Sequence, residues 1–353
     1  MPPITGWFDP TPKGGALRLA ANSYLPGKGD PAVRLPGLRR GDLLMLENGR
    51  VATVNGLPAA QLDGRPEFTS LGAVHPNRPL TLETPRASSQ RTADTQRVVD
   101  LICPFGFGQR ALIVSPPKAG KTMMLQAIAE AVAENHPDAS LLVLLVDERP
   151  EEVTEMIDWG RGEVVASSFD LPHERHVAVA EMVFDHARRQ VELGRDVVIV
   201  LDSLTRLARS HNTSGRGSGR TMSGGLDANA LARPKSMFGA ARAVPTGGSL
   251  TVIATALVET ESRMDDIIFE EFKGTGNAEL RLTRDLADRR IYPAVDIAAS
   301  GTRREELLAD PKTIEAKQKL RRALVELPPE QAMQSLLQQM KRAKTNAQLL
   351  TSI

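Results

Sequence analysis

Eight consecutive residues restrict the folds open to this chain more than any other feature: Ser115-Pro116-Pro117-Lys118-Ala119-Gly120-Lys121-Thr122. They follow the apolar run Ala111 to Val114 and precede a segment carrying Met124, Ile128 and Val132 at four-residue spacing, closed by the stop signal Asn135-His136-Pro137. Strand, loop and helix therefore come in the order that a phosphate-binding loop requires. In such a loop small residues let backbone N–H groups close on an anion and the helix N-terminus adds its dipole. Lys121 then neutralises β- and γ-phosphate charge, and Thr122 ligates Mg²⁺. Ser115 stands where the usual first glycine would be, while the Gly120-Lys121-Thr122 core is complete. The nucleotide-binding set read from this stretch is Ser115, Pro116, Pro117, Lys118, Ala119, Gly120, Lys121 and Thr122, with Met123 beside it.

A loop of this kind needs a parallel sheet around it. Further β-branched runs at Leu141 to Val146, Val164 to Ser167, Val197 to Leu201 and Leu250 to Ala256 alternate with helical periodicity, which predicts an α/β fold. Two of these runs end in carboxylates. Val197 to Leu201 runs into Asp202, which is either a helix cap for Ser203-Leu204-Thr205 or, beside a phosphate loop, the second metal anchor with Thr122. Leu141 to Val146 runs into Asp147-Glu148-Arg149. There Glu148 is either the group that orients an attacking water or first-turn charge for the helix starting at Pro150. Gly106-Phe107-Gly108-Gln109-Arg110-Ala111 fits a dinucleotide fingerprint but precedes its strand, so it reads as a turn. His173 and His176, three apart with no third ligand nearby, read as histidines on a helix surface.

The first 84 residues are of a different kind. Short apolar runs flank Glu47-Asn48-Gly49-Arg50, where Asn-Gly suits a type I′ hairpin, and small antiparallel β structure is expected. Residues 85–96 have linker composition, and the α/β domain is expected over 97–353. From Pro311 onward the pattern is helical, interrupted at Pro328-Pro329. With 44 basic against 43 acidic residues, nucleic-acid binding has to be local. One cysteine, Cys103, excludes an intramolecular disulfide and fits a reducing cytosol. The longest aliphatic runs fall far short of the ~18 residues of a membrane span, and the first 30 residues lack a leader pattern, so a cytoplasmic placement is expected.

Taken with the phosphate loop, the runs Asp147-Glu148-Arg149-Pro150-Glu151-Glu152-Val153-Thr154-Glu155-Met156 and Leu201-Asp202-Ser203-Leu204-Thr205-Arg206 give a chain that resembles the bacterial Rho family of transcription terminators. The likeness continues through Gly224-Gly225-Leu226-Asp227-Ala228-Asn229-Ala230-Leu231, Phe238-Gly239-Ala240-Ala241-Arg242, Glu270-Glu271-Phe272-Lys273-Gly274-Thr275-Gly276-Asn277 and Ser300-Gly301-Thr302-Arg303, over roughly residues 95 to 350.

The resemblance implies a RecA-like P-loop domain preceded by an OB-like β domain. It also implies a homohexameric ring that hydrolyses ATP with Mg²⁺, moves along single-stranded nascent RNA and releases transcripts from RNA polymerase. By position it assigns Glu148 as catalytic base, Asp202 as metal carboxylate and Arg303 as an arginine finger acting on the neighbouring subunit. Arg149 and Arg206 become further active-site arginines, and Tyr292 the ring that stacks on adenine, with a core aromatic as its bland alternative. RNA contacts are implied at Arg220, Met222, Ser223, Gly224 and Gly225 in one loop and at Arg263 in another.

At the N-terminus the pattern departs. By that resemblance the family's helical subdomain is expected to be missing, and where base-stacking aromatics are expected the chain reads Lys13-Gly14-Gly15-Ala16-Leu17-Arg18. Stacking is worth roughly 1–3 kcal/mol per base, so loss of two rings predicts weakened loading. Trp7, Phe8 and Tyr24 lie nearby but are expected to fill a small β core. A paralogue that binds or modulates a full-length Rho is the alternative reading.

Overall fold

The computed structural model describes residues 2–12, 14–61, 64–215, 223–227 and 229–353. The N-terminal part is an antiparallel sheet of β1 (Ile4–Thr11), β2 (Gly14–Arg18), β3 (Leu43–Glu47), β4 (Arg50–Val54) and β5 (Leu57–Pro58), in the order β2-β1-β3-β4-β5. The β3–β4 hairpin turns on Asn48 and Gly49, both at positive φ (50° and 77°), which is the backbone a type I′ turn requires. Gly15 owes its identity to packing, because a Cβ there would lie 2.1 Å from the Phe8 ring. Phe8, with Leu17, Val33, Leu44, Leu46 and Val54, fills the core of this small sheet.

A helix, α1 (Gln90–Ile102), replaces the second half of the expected linker. Ser89 caps it by accepting the Thr92 N–H at 3.1 Å, so the polar Gln90-Arg91-Thr92 is an exposed first helical turn. The elements that follow are β6 (Arg110–Ser115), α2 (Lys121–Asn135), β7 (Ser140–Glu148), α3 (Pro150–Trp159), β8 (Glu163–Ser168), α4 (His173–Val191), β9 (Asp196–Asp202) and α5 (Leu204–Ser214). After the incompletely described segment come α6 (Ala232–Gly239), β10 (Arg242–Ala243), β11 (Ser249–Leu257), α7 (Arg263–Lys273), β12 (Ala278–Arg281), α8 (Arg284–Asp288) and β13 (Gly301–Thr302). The helical tail is α9 (Pro311–Val325), α10 (Pro329–Arg342) and α11 (Asn346–Thr351).

The large sheet runs β13-β12-β6-β11-β9-β7-β8, with β10 on β11, and strands β12 through β8 are parallel. Its central strands are apolar throughout because both faces are covered. On one face α4 and α5 pack against Leu142, Leu144, Ile199 and Leu201. On the other, α1, α2 and the helical tail cover Ile113, Val198, Val200 and Ile253. The chain leaves β6 and returns at β7 across β11 and β9, so the C-terminal ends of β6, β9 and β7 open onto one crevice, the place where such sheets hold ligands.

The two parts share a core. Trp7 is fully buried, its ring stacked at 3.6 Å on Tyr24 and at 4.2 Å on His186 of α4. His186 Nδ1 meets the Gly41 carbonyl at 2.8 Å, and a Cβ on Gly41 would sit 2.4 Å from the His186 backbone nitrogen. Phe8 thus joins the β core as expected, whereas Trp7 and Tyr24 anchor the small sheet onto the α/β body.

Candidate functional site

The phosphate-loop residues form the turn between β6 and α2. Ser115 and Ala119 are buried, and Lys118 and Gly120 have positive φ (64° and 95°), which bends the chain back over the start of α2. Gly120 is the N-cap and supplies no side-chain acceptor, and the first turn contains no acidic residue. The free N–H groups of this turn and the helix dipole therefore present positive potential to whatever enters the loop.

At the crevice Lys121 Nζ donates to Glu148 Oε1 at 2.9 Å and to Asp202 Oδ1 at 2.7 Å. Both carboxylates are nearly inaccessible, at 2% and 3% exposure. Asp202 Oδ1 also accepts the Thr255 hydroxyl at 2.7 Å from the neighbouring strand β11. The cap of α5 is Ser203, whose hydroxyl accepts the Arg206 N–H, so Asp202 is free of capping and faces Lys121. Glu148 likewise lies outside the first turn of α3, where Glu151 and Glu152 do that work.

Glu148 is aimed by an irregularity in β7. Val146 pairs with Ser167 and Glu148 with Ser168, leaving Asp147 as an extra residue at φ 58°. A bulge re-aims the side chain that follows it. Burial, then the charge of Asp202, pushes the Glu148 carboxyl up to about 7 against the opposing pull of Lys121 and Arg206. Lys121 is itself buried, which disfavours its charge, but Asp202 and Glu148 outweigh that and hold its pKa above the ordinary lysine value. The result is an ammonium strung between two carboxylates that a phosphate would have to displace.

Arg206 faces the same group, with Nε 3.5 Å from Glu148 Oε1 and Nη1 bonded to the Asp147 carbonyl. Arg149 is exposed at the N-cap of α3, on the lip of the crevice. Tyr292, Met123, Gly120 and Arg91 line one small recess beside the loop, with the Arg91 guanidinium 3.8 Å from the Tyr292 ring centre. Tyr292 is half-buried, packed on one side against the hydrophobic core and on the other against Gly120 of the loop.

Arg303 is not brought to this crevice. Its N–H bonds the Asn277 carbonyl, whose own residue bonds Arg110, at the start of β6. Six-residue β6 separates that end from the loop by about 16 Å. Arg303 lines instead a cavity of about 300 Å³ with Lys273, Asn277, Glu279 and Ser300.

Of the two expected RNA loops, Arg220 and Met222 lie outside the described residues. Ser223–Gly225 forms a short 3₁₀ turn, with Gly224 at φ 72° packed so closely on α7 that a Cβ would lie 3.1 Å from the Met264 nitrogen. Arg263 opens α7, so the described parts of the two loops meet.

His176 differs from the surface residue expected of it. It is fully buried under Asp147, because the inward face of α4 packs on β7 and β8. Sequence reasoning also missed Thr255, although a hydroxyl late in the apolar run Leu250 to Ala256 was a signal, and Arg91, hidden by the linker assignment. The Gly106–Ala111 segment is a turn into β6, as read.

The donors at the crevice suit Mg²⁺: hydroxyl and carboxylate oxygens from Thr122 and Asp202. No cluster of three metal-ligating side chains exists among the described residues. No helix among the described residues is long and apolar enough to cross a membrane.

Residues 95–302 match the nucleotide-binding domain of the ATP synthase alpha/beta family. The chain is 58% identical to transcription termination factor Rho of Gemmatimonas aurantiaca, over 99% of this chain and 50% of that protein. It is 49% identical to that of Streptomyces lividans (99% and 52%) and 50% identical to that of Streptosporangium roseum (99% and 92%). The chain thus spans about half the length of the first two of these relatives. Among solved structures, an ATPase of the type III secretion system of pathogenic bacteria aligns with a TM-score of 0.62 at 24% identity, covering 74% of this chain and 72% of that one, a likeness of fold.

Proposed function

This chain belongs to the transcription termination factor Rho family, and from that premise we propose that it is an RNA-dependent ATPase that works as a homohexameric ring, moves along nascent single-stranded RNA and terminates transcription. The observation that carries the reading is the Lys121 ammonium held between Glu148 and Asp202 at the mouth of the phosphate loop.

In the reaction the polyphosphate of ATP replaces the carboxylates as the partner of Lys121. Glu148, relieved of its ion pair, becomes the acceptor for the proton of a water in line with the γ-phosphorus. Thr122 and Asp202 would hold Mg²⁺, which when bound offsets phosphate charge. Tyr292 and Met123 take the adenine, and Arg149 and Arg206 flank the crevice. Arg303, remote from its own loop, is suited to complete the site of the next subunit, where its charge stabilises the transferring phosphoryl group.

The 219–225 loop and Arg263 form the central RNA contact, through Arg220, Met222, Ser223, Gly224 and Gly225 as well as Arg263. We take residues 1–84 as a loading unit with reduced stacking, since Trp7, Phe8 and Tyr24 are all buried. RNA polymerase is the partner of this activity, and the cytoplasm its place.

The test is transcript release from an elongating polymerase by the purified protein with ATP and no other Rho. Release at a rate that follows ATP hydrolysis is expected. ATP hydrolysis with release only when a full-length Rho is added would make the chain a modulator, and no RNA-stimulated hydrolysis would overturn the reading.

A further inference from the structure

Behind the crevice lies a line of polar groups that the reaction described above does not use. His176, on α4, is completely buried. Its Nδ1 meets Ser167 Oγ at 2.7 Å. The other ring nitrogen faces a carboxylate, and a carboxylate favours an N–H over a lone pair, so the tautomer in which Ser167 donates to Nδ1 is the stable one. The proton of the neutral ring then resides on Nε2. Nε2 has no hydrogen-bond partner, yet it points at Asp147 Oδ1 from 3.8 Å. A buried imidazole N–H without an acceptor is costly, and fold stability alone would be better served by an apolar side chain there.

Asp147 is the bulge residue of β7, and Arg206 holds it twice. One guanidinium nitrogen bonds its carbonyl and lies 3.8 Å from its other carboxylate oxygen, while Arg206 Nε reaches to 3.5 Å from Glu148. His176 and Arg206 therefore grip opposite oxygens of one carboxylate, and the position of Arg206 sets the only cation besides Lys121 that faces Glu148 among the described residues. Once phosphate draws Lys121 away, Arg206 remains.

We propose that His176 is a positioning residue for hydrolysis: by holding Asp147 from behind it keeps the bulge and Arg206 in place, and so keeps Glu148 aimed at the attacking water. The proposal rests on the reading of Glu148 and Arg206 as parts of an ATPase site. Loss of the imidazole N–H lets the Asp147 carboxylate rotate onto Arg206 and draw it from Glu148, a displacement of the kind that lowers turnover without touching nucleotide binding.

The experiment compares RNA-stimulated ATP hydrolysis by the full chain with that of His176→Leu, His176→Gln, Asp147→Asn and the double variant His176→Leu/Asp147→Asn. Expected are a fall in kcat of about tenfold for His176→Leu and for Asp147→Asn with KM for ATP unchanged. The double variant should be no slower than the slower single one, and His176→Gln, which keeps an N–H donor, should recover most of the rate. Asp147 is partly exposed, so its variant tests the idea even if His176→Leu folds poorly. Unchanged kcat in Asp147→Asn, losses that multiply in the double variant, or a glutamine no better than leucine would overturn the proposal. A wild-type chain that hydrolyses no ATP would instead overturn the functional reading beneath it.

Discussion

Arg209 on α5 forms a two-pronged ion pair with Asp265 on α7, at 2.7 and 2.6 Å, and Asp265 also accepts the Thr260 hydroxyl at 2.7 Å. The pair joins the two ends of the proposed machine. Three residues earlier α5 presents Arg206 to Glu148, and two residues before Asp265 the same α7 begins at Arg263, against the Gly224 turn. A rigid helix with one side chain at the proposed nucleotide site and the next turn tied to the proposed RNA loop is a direct route for coupling. Arg209→Ala is therefore expected to leave RNA-free ATP hydrolysis nearly unchanged and to reduce its stimulation by RNA about tenfold. Phosphate release with and without polyribonucleotide measures both. Equal losses in the two conditions would show that the pair supports only the fold.

The Lys121–Glu148–Asp202 triad gives a pH dependence of definite sign. In the nucleotide-free site the Glu148 carboxyl is held at about 7 by burial and then by Asp202. Protonated, it cannot accept the proton of water, so kcat/KM for ATP, which reports the free enzyme, should fall as pH drops through about 7. Glu148→Gln should lower turnover steeply and leave a residual rate without that acidic limb. Lys121→Ala should cost about 10²–10³-fold in turnover, because both the phosphate contact and the counter-charge between two buried carboxylates disappear. A kcat/KM profile flat from pH 5 to 8 in the wild type would remove Glu148 from the role of base.

Arg303 sits at the opposite end of β6 from the phosphate loop, and that separation makes its partner testable. Arg303→Ala and Lys121→Ala should each be slowed about a hundredfold or more alone. Mixed before assembly, some junctions would join an intact loop of the first to an intact Arg303 of the second, and hydrolysis should recover to a fraction set by the mixing ratio. No recovery at any ratio, with mixed rings demonstrated by native mass spectrometry, would place Arg303 outside the neighbour's site.

Most of the frame could be read from the amino acids because the chemistry is local. The strand, loop and helix around Gly120-Lys121-Thr122 follow from periodicity and spacing, and the five strands read from apolar runs appear within a residue or two of them. Roles decided by tertiary contact were not legible. Glu148 depends on a bulge that adds Asp147 to β7, and Asp202 is released from capping only because Ser203 does the capping. His176 looked like surface because an isolated histidine carries no sign of which helix face is inward. The linker reading lost α1 because its first turn is polar on purpose of solvation, while the capping serine that marks its start is a weak signal beside Pro85.

The last prediction concerns RNA loading and follows from where the aromatics are. Trp7 is sealed between Tyr24 and His186, Phe8 covers Gly15, and none of the three nearby rings is exposed enough to stack on a base. With no stacking platform there, affinity should come from arginine contacts to phosphates, which are blind to base identity and weakened by salt. Stimulation of ATP hydrolysis by poly(C), poly(U) and poly(A) should then agree within a fewfold, and the RNA concentration for half-stimulation should rise steeply with salt. Trp7→Ala should act through the fold, at a cost of about 3–5 kcal/mol from the cavity it leaves between the two parts, and so lower the unfolding temperature. Tight stimulation confined to poly(C) at physiological salt would mean that pyrimidine recognition persists on residues other than these rings.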